Sequence, residues 1–145
     1  MFNTIFTKGS LPYMEQILHF TRARHNAIAS NIANIETPTY KAVDLPETEF
    51  KKALETAVRR QDERHVPVFK MEETLRVKPK ERGGLEIDLV EREMGGFLKH
   101  DENNVDIDQE MVNLVKNTGL HNTIAALIDR QFDLLSTAIS GRVGR

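Results

Sequence analysis

The sequence predicts a mostly α, elongated fold. Long N- and C-terminal heptad helices pair as a coiled-coil-like hairpin, and an irregular charged middle holds a short helix and short β segments. Three observations predict it. Each end carries a long run of positions spaced alternately three and four residues apart, with no proline beyond the first turn. Residues 41–105 hold 13 of the 20 basic and 15 of the 22 acidic residues, which marks them as charged surface. Finally, 145 residues at 39% hydrophobic content supply the core of one domain rather than several. The chain therefore divides into residues 1–40, 41–105 and 106–145 of a single domain.

Taken in order, residues 1–8 lack the charged n-region, apolar h-region and small-residue cleavage site of a secretory signal. Ser10 is placed to cap a first helix with Pro12 in its opening turn. Its seam is Leu11, Met14, Leu18, Thr21, His25, Ile28, Ile32 and Ile35, and Pro38 should stop it near Glu36. In the middle, Phe50, Ala53, Leu54, Ala57 and Val58 give the stretch Glu47–Arg64 a helical period. Residues 66–71, 75–77 and 85–90 alternate weakly, and Pro67 and Pro79 confine them to edge strands or loops. The last helix starts at Asp106, with Gln109 three residues on and Asp108 and Glu110 complementing its positive terminus. Its seam is Ile107, Met111, Leu114, Thr118, His121, Ala125, Ile128, Phe132, Leu135 and Ile139, and Gly141 is its stop.

A repeat held at 3.5 residues keeps one stripe facing a partner helix along its whole length. At 1.5 Å per residue the two helices would be roughly 40 Å and 50 Å long, more than a compact chain of this size needs. Pairing with each other would display the charged middle at one end. Ile17, Val112, Val115, Leu120, Ile124, Leu127 and Leu134 lie beside the seams, however, and a hairpin alone would leave them wet. Such a stripe marks a partner surface. The expected molecule is a helical building block, poorly ordered at both ends in isolation, whose core is completed by neighbours.

Other chemistries lack their residues. The formal charge of −2 gives no basic excess for nucleic acid or anionic membranes. The longest apolar run, residues 124–128, is too short to span a bilayer. The absence of Cys excludes disulfides, thiolate nucleophiles and sulfur-based zinc sites. The acidic run at residues 101–110 fails the calcium-loop spacing in either register and reads as a solvated approach to the last helix. His19, His25, His65, His100 and His121 contain no metal-binding spacing. No Ser sits in a nucleophile elbow, and Gly83-Gly84 and Gly95-Gly96 lack phosphate-loop spacing. Neither catalysis nor a cofactor is expected. His25 and His121 fall on the two seams, where an antiparallel hairpin would bring them near one another.

Residues 27–42, AIASNIANIETPTYKA, carry a specific pattern: Ala29, Asn31, Ile32, Ala33, Asn34, Thr37, Pro38 and Tyr40. This segment resembles the signature A-x-N-[IL]-A-N-x-x-T-P-G-[YF] that ends the first helix of flagellar rod and hook proteins. With the chain length and the runs at 106–112 and 138–142, the chain is most similar to the family's proximal-rod branch. The resemblance covers both ends and little of the middle. It implies a structural subunit of the proximal rod of the bacterial flagellar basal body, crossing the periplasm and exported without a cleavable signal. It also implies partners: other copies, sister rod proteins, the rod's export-gate adapter and the flagellar type III export apparatus. The competing class is a coiled-coil adaptor or secretion chaperone. Thr39 stands where the family has Gly, so the turn into Tyr40 is expected to be built differently, because a β-branched residue disfavours positive φ. Asn31 and Asn34 have two readings, local backbone hydrogen bonds that end the helix, or bonds across subunits that fix register.

Overall fold

The structure, a computed structural model, describes residues 11–64, 69–80, 84–92 and 102–141. In chain order its elements are α1 (Leu11–Ala33), β1 (Val43–Asp44), α2 (Glu47–Arg64), β2 (Val77–Pro79), β3 (Leu85–Ile87), β4 (Val90–Glu91) and α3 (Ile107–Ser140). Ser10, Gly83, Gly95, Gly96 and residues 66–68 of the expected strand at 66–71 lie outside the described residues. Residues 69–71 form no strand. Among the described residues, no helix is long and apolar enough to cross a membrane.

The two long terminal helices pack together. Thr21 Oγ1 meets His121 Nδ1 at 2.9 Å, and Asn31 Nδ2 donates to Glu110 Oε2 at 3.2 Å, so chain direction reverses between them. Asp106 caps α3, its Oδ1 accepting from the backbone N–H of Asp108 and Gln109 at 3.0 and 3.3 Å. Gly141 ends it in the left-handed region at φ 65°. Helix α1 stops at Ala33, before the expected Glu36: residues 34–37 tighten into turns through Ile35 N–H to Ile32 O and Thr37 N–H to Asn34 O.

The seam of α3 differs in phase from the sequence reading. Its more buried side runs through Glu110, Leu114, Asn117, His121, Ile124, Ile128, Gln131 and Leu135. Leu114, His121, Ile128 and Leu135 coincide with the expected seam, but at the intervening positions the stripe lies one residue earlier. Ile107, Met111 and Ile139 are therefore exposed, as is Thr118, while Ala125 is half-buried and Phe132 is 44% exposed. The physical reason is that buried polar side chains, paired within the chain, occupy positions that apolarity alone assigns to their neighbours. On α1, Leu11, Met14, Thr21 and Ile28 are buried and Leu18, Ile32 and Ile35 half-buried, whereas His25 is exposed.

The charged middle is not displayed at one end. It folds onto the face of α1 turned away from α3. The apolar stripe of α2 brings Phe50, Ala53 and Ala57 against Phe20 and Ala27 of α1, joined by Leu45, Met71 and Val77. Phe20 and Phe50 stack with ring centroids 4.2 Å apart and planes 15° from parallel. Two short antiparallel ribbons close this layer. In β2–β3, Val77 pairs with Ile87 and Pro79 with Leu85; in β1–β4, Val43 pairs with Glu91 and Asp44 with Val90. Pro79 is tolerated because every strand of a two-stranded ribbon is an edge. Gly84 supplies the positive φ, 97°, that the loop into β3 requires.

Since Phe50 is 5% exposed and holds α2 to α1, Phe50→Ala should lower stability by about 3 kcal/mol in urea unfolding. Leu75→Ala, at a position 81% exposed, should stay within about 0.5 kcal/mol.

Candidate functional site

The signature segment closes α1 and turns the chain into β1, and its centre is Asn31, which is fully buried. Its side-chain amide pairs with Val43 as a second strand would: Nδ2 donates to Val43 O at 2.8 Å and Oδ1 accepts from Val43 N–H at 2.9 Å. The remaining proton goes to Glu110 Oε2, and Tyr40 Oη donates to Oδ1 at 3.1 Å. Two donors and two acceptor sites are thus all engaged inside one chain, leaving Asn31 nothing for a bond across subunits. Asn34 acts locally, donating to Ser30 O at 2.8 Å and accepting from Thr37 Oγ1 at 3.2 Å. Ile32 is half-buried, and Ala29, Ala33, Thr37 and Pro38 are exposed.

Thr39 adopts φ 63°, the left-handed region that Gly permits and that a β-branched residue was expected to avoid. A β-branched residue pays steric strain there. The flanks hold it in place, with Tyr40 N–H bonded to Thr37 O at 3.4 Å and Tyr40 O to Asn104 N–H at 3.4 Å.

Asn103 and Asn104 do work that the sequence did not reveal. Asn103, fully buried, directs Nδ2 to the carbonyls of Asn34, Ile35 and Thr37 at 2.9, 3.1 and 2.8 Å, satisfying acceptors that the end of α1 leaves open. Asn104 Oδ1 accepts from Ala42 N–H at 2.6 Å while its Nδ2 donates to Arg92 O at 3.1 Å, fastening the segment after α1 to the end of β4. The run at 101–110 is thus only partly the solvated approach expected: Glu102, Asp106 and Asp108 are exposed, but Asn103, Val105 and Glu110 are buried. The available signal was an uncharged amide pair inside an acidic run, next to a helix cap.

Glu110 is 0% exposed. Arg92 Nη1 donates to its Oε1, and Arg92 Nη2 lies 3.4 Å from Asp44 Oδ2. Asp44 also receives Arg24 at 3.2 Å, and Arg24 reaches Glu47 at 2.8 Å. The chain of ion pairs links α3, β4, β1, α1 and α2.

Beside the buried stripe of α3, Leu120, Leu127 and Leu134 recur every seven residues and are 47%, 39% and 57% exposed. Met111, Val112 and Val115 extend exposed apolar surface toward the start of the helix. Among the described residues, no cluster of His, Asp or Glu is arranged to hold a metal ion.

Paired terminal helices, a signature turn pinned by buried asparagines and an outward apolar helix face define a class of helical protein with the rod-and-hook pattern at the end of α1. No known family model matches the chain. It is 30% identical over 129 residues to the flagellar basal body rod protein FlgB of Aquifex aeolicus (strain VF5), covering 88% of this chain and 90% of that protein. It is 28% identical over 137 residues to the flagellar basal body rod protein FlgB of Borrelia hermsii, covering 90% and 95%. The chain belongs to the FlgB family of flagellar basal body rod proteins.

Two outcomes follow for the turn and its support. Thr39→Gly should raise the unfolding free energy by about 1 kcal/mol by releasing the strain at φ 63°; an unchanged or lower midpoint in thermal melts counts against strain. Arg92→Met should cost about 3 kcal/mol by stranding the Glu110 carboxylate, and adding Glu110→Leu should recover much of that loss. Equal losses in the single and double variants would show that the pair is not coupled.

Proposed function

We propose that this chain is a non-enzymatic structural subunit of the proximal rod of the bacterial flagellar basal body. It assembles through its terminal helices into the axial drive shaft. The observation that carries this reading is the apolar face of α3 centred on Leu120, Leu127 and Leu134, which the chain's own fold leaves exposed. A face of this kind on one molecule is stabilised by burial against another, at about 25 cal/mol per Å² before the costs of association. Identical subunits joined head to tail form an open helical stack, the geometry a shaft needs. The FlgB names of the relatives support placing that stack in the basal body rod.

In this reading the partners are other copies of the chain, sister rod proteins and the rod's export-gate adapter. Delivery is by the flagellar type III export apparatus, and the subunit neither inserts into membrane nor binds nucleic acid. The seam residues of both helices, Leu11 to Ile35 and Ile107 to Ile139, serve two surfaces. Buried or half-buried positions such as Ile28 and Ile128 hold the helix pair, and exposed ones such as Ile107 and Met111 offer further apolar surface to neighbours.

Neighbouring positions on α3 separate the two roles. Leu127→Asp combined with Leu134→Asp should leave the melting midpoint of the purified chain within a few degrees, yet exclude the protein from isolated basal bodies and abolish rod, hook and filament. Ile128→Asp, on the half-buried side, should instead destabilise the chain itself by placing a charge against α1. Normal motility with the paired Leu variant overturns the proposal. A wild-type chain that stays a small, reversible oligomer and is missing from basal bodies would identify an adaptor or chaperone instead.

A further inference from the structure

A groove of about 550 Å³ opens between α1 and α3. His19, Arg22 and His25 reach it from α1 and His121 from α3, with Asn26 and Thr118 among its polar lining. Every ionisable side chain that lines it is basic, in a chain whose 22 acidic residues outnumber its 20 lysines and arginines. Arg22 and His25 are exposed, and neither makes an ion pair or hydrogen bond among the described residues. Their charge and donors are therefore available to a ligand.

His121 is anchored to α1. Its Nδ1 lies 2.9 Å from Thr21 Oγ1, a hydroxyl that also reaches Leu18 O at 2.9 Å. Thr21 is itself fixed, because Asn117 Nδ2 donates to its carbonyl at 2.8 Å. The imidazole is thereby held at the groove wall with its other nitrogen, Nε2, left for a ligand, and a carboxylate accepts a hydrogen bond from an N–H there.

We infer that this groove is a docking site for an acidic peptide segment of another protein, gripped by Arg22 and by the imidazoles of His25 and His121. Among the described residues, the charged and titratable groups facing it are His19, Arg22 and His25 on α1 and His121 on α3, with no carboxylate in the lining. A protein carboxylate suits the site better than a nucleic-acid backbone, because the groove is short, holds a single arginine and belongs to a chain with net charge −2. The inference does not depend on the rod reading.

The test is a titration of the full-length chain with a hexaglutamate peptide, followed calorimetrically and by the imidazole C–H resonances. Saturable binding is expected at pH 6, with shifts concentrated at His25 and His121. Arg22→Gln, at an exposed position, should melt as wild type and bind about tenfold more weakly, and His121→Gln should also weaken binding severalfold. Absence of saturable binding at pH 6, equal affinity in Arg22→Gln, or stronger binding of inorganic phosphate or a single-stranded oligonucleotide than of the peptide would each overturn the assignment.

Discussion

Burying the Glu110 carboxylate obliges three separated parts of the chain to meet in one place. A carboxylate out of water is strongly disfavoured unless donors surround it, and here the donors come from Asn31 in the first helix and Arg92 beside β4. Asn31 has to serve Val43 at the same time, and Arg92 has to reach Asp44. The register of α3 on α1 and the attachment of β1 and β4 are therefore aspects of one satisfied cluster. Sliding either helix by a turn would leave a buried charge, a buried amide and a strand edge unpaired together. Apolar seams alone tolerate such slips, since one Ile–Leu contact resembles the next. The polar cluster contributes register more than it contributes net stability.

The signature segment follows from the same constraint. Asn at position 31 is the side chain that presents a backbone-like donor and acceptor side by side, which is what lets a helix residue pair with the strand at Val43. Below it the chain must leave the helix quickly enough to bring Tyr40 back to Asn31, and a left-handed residue at position 39 achieves that within a short turn. Thr39 shows that the geometry is imposed by the surroundings rather than by the residue. The cap by Asn103, the Asn104 clamp and the Tyr40 hydroxyl over-determine the turn, so strain at one residue is carried by its neighbours.

These features explain which parts of the molecule were legible in the sequence. The 3.5-residue periods at both ends, the caps at Asp106 and Gly141 and the amphipathic stretch that became α2 are local patterns, and the elements stand where those patterns place them. The phase of the α3 seam was not legible, because Glu110 and Asn117 look like solvent-facing residues until their partners on the other helix are known. The second face of α1 was hidden for a related reason: Phe20 lies off the first helix's heptad stripe, and its partner Phe50 is thirty residues away in a segment dominated by charge. Asn103 and Asn104 were unreadable because their ligands are backbone carbonyls and amides, which no side-chain pattern announces.

The resulting distribution of side chains is inverted relative to a self-sufficient helix pair. Matched polar groups such as Asn31–Glu110 and Asn117–Thr21 share the inside of the α1–α3 contact with Ile28 and Ile124, while leucines lie outside along α3 at intervals of seven. The two kinds of surface have different physics. Hydrogen-bonded buried groups are directional and punish misalignment, so they suit a contact that must form one way within each chain. Apolar area is non-directional and additive, so it suits contacts repeated from subunit to subunit, where small differences in orientation between successive neighbours have to be absorbed without breaking any bond. In the proposed assembly, such a division would let each copy hold a fixed register while the surfaces between copies adapt. A chain built the other way, with an apolar seam and polar matched outer faces, would adapt internally and demand identical geometry at every external contact.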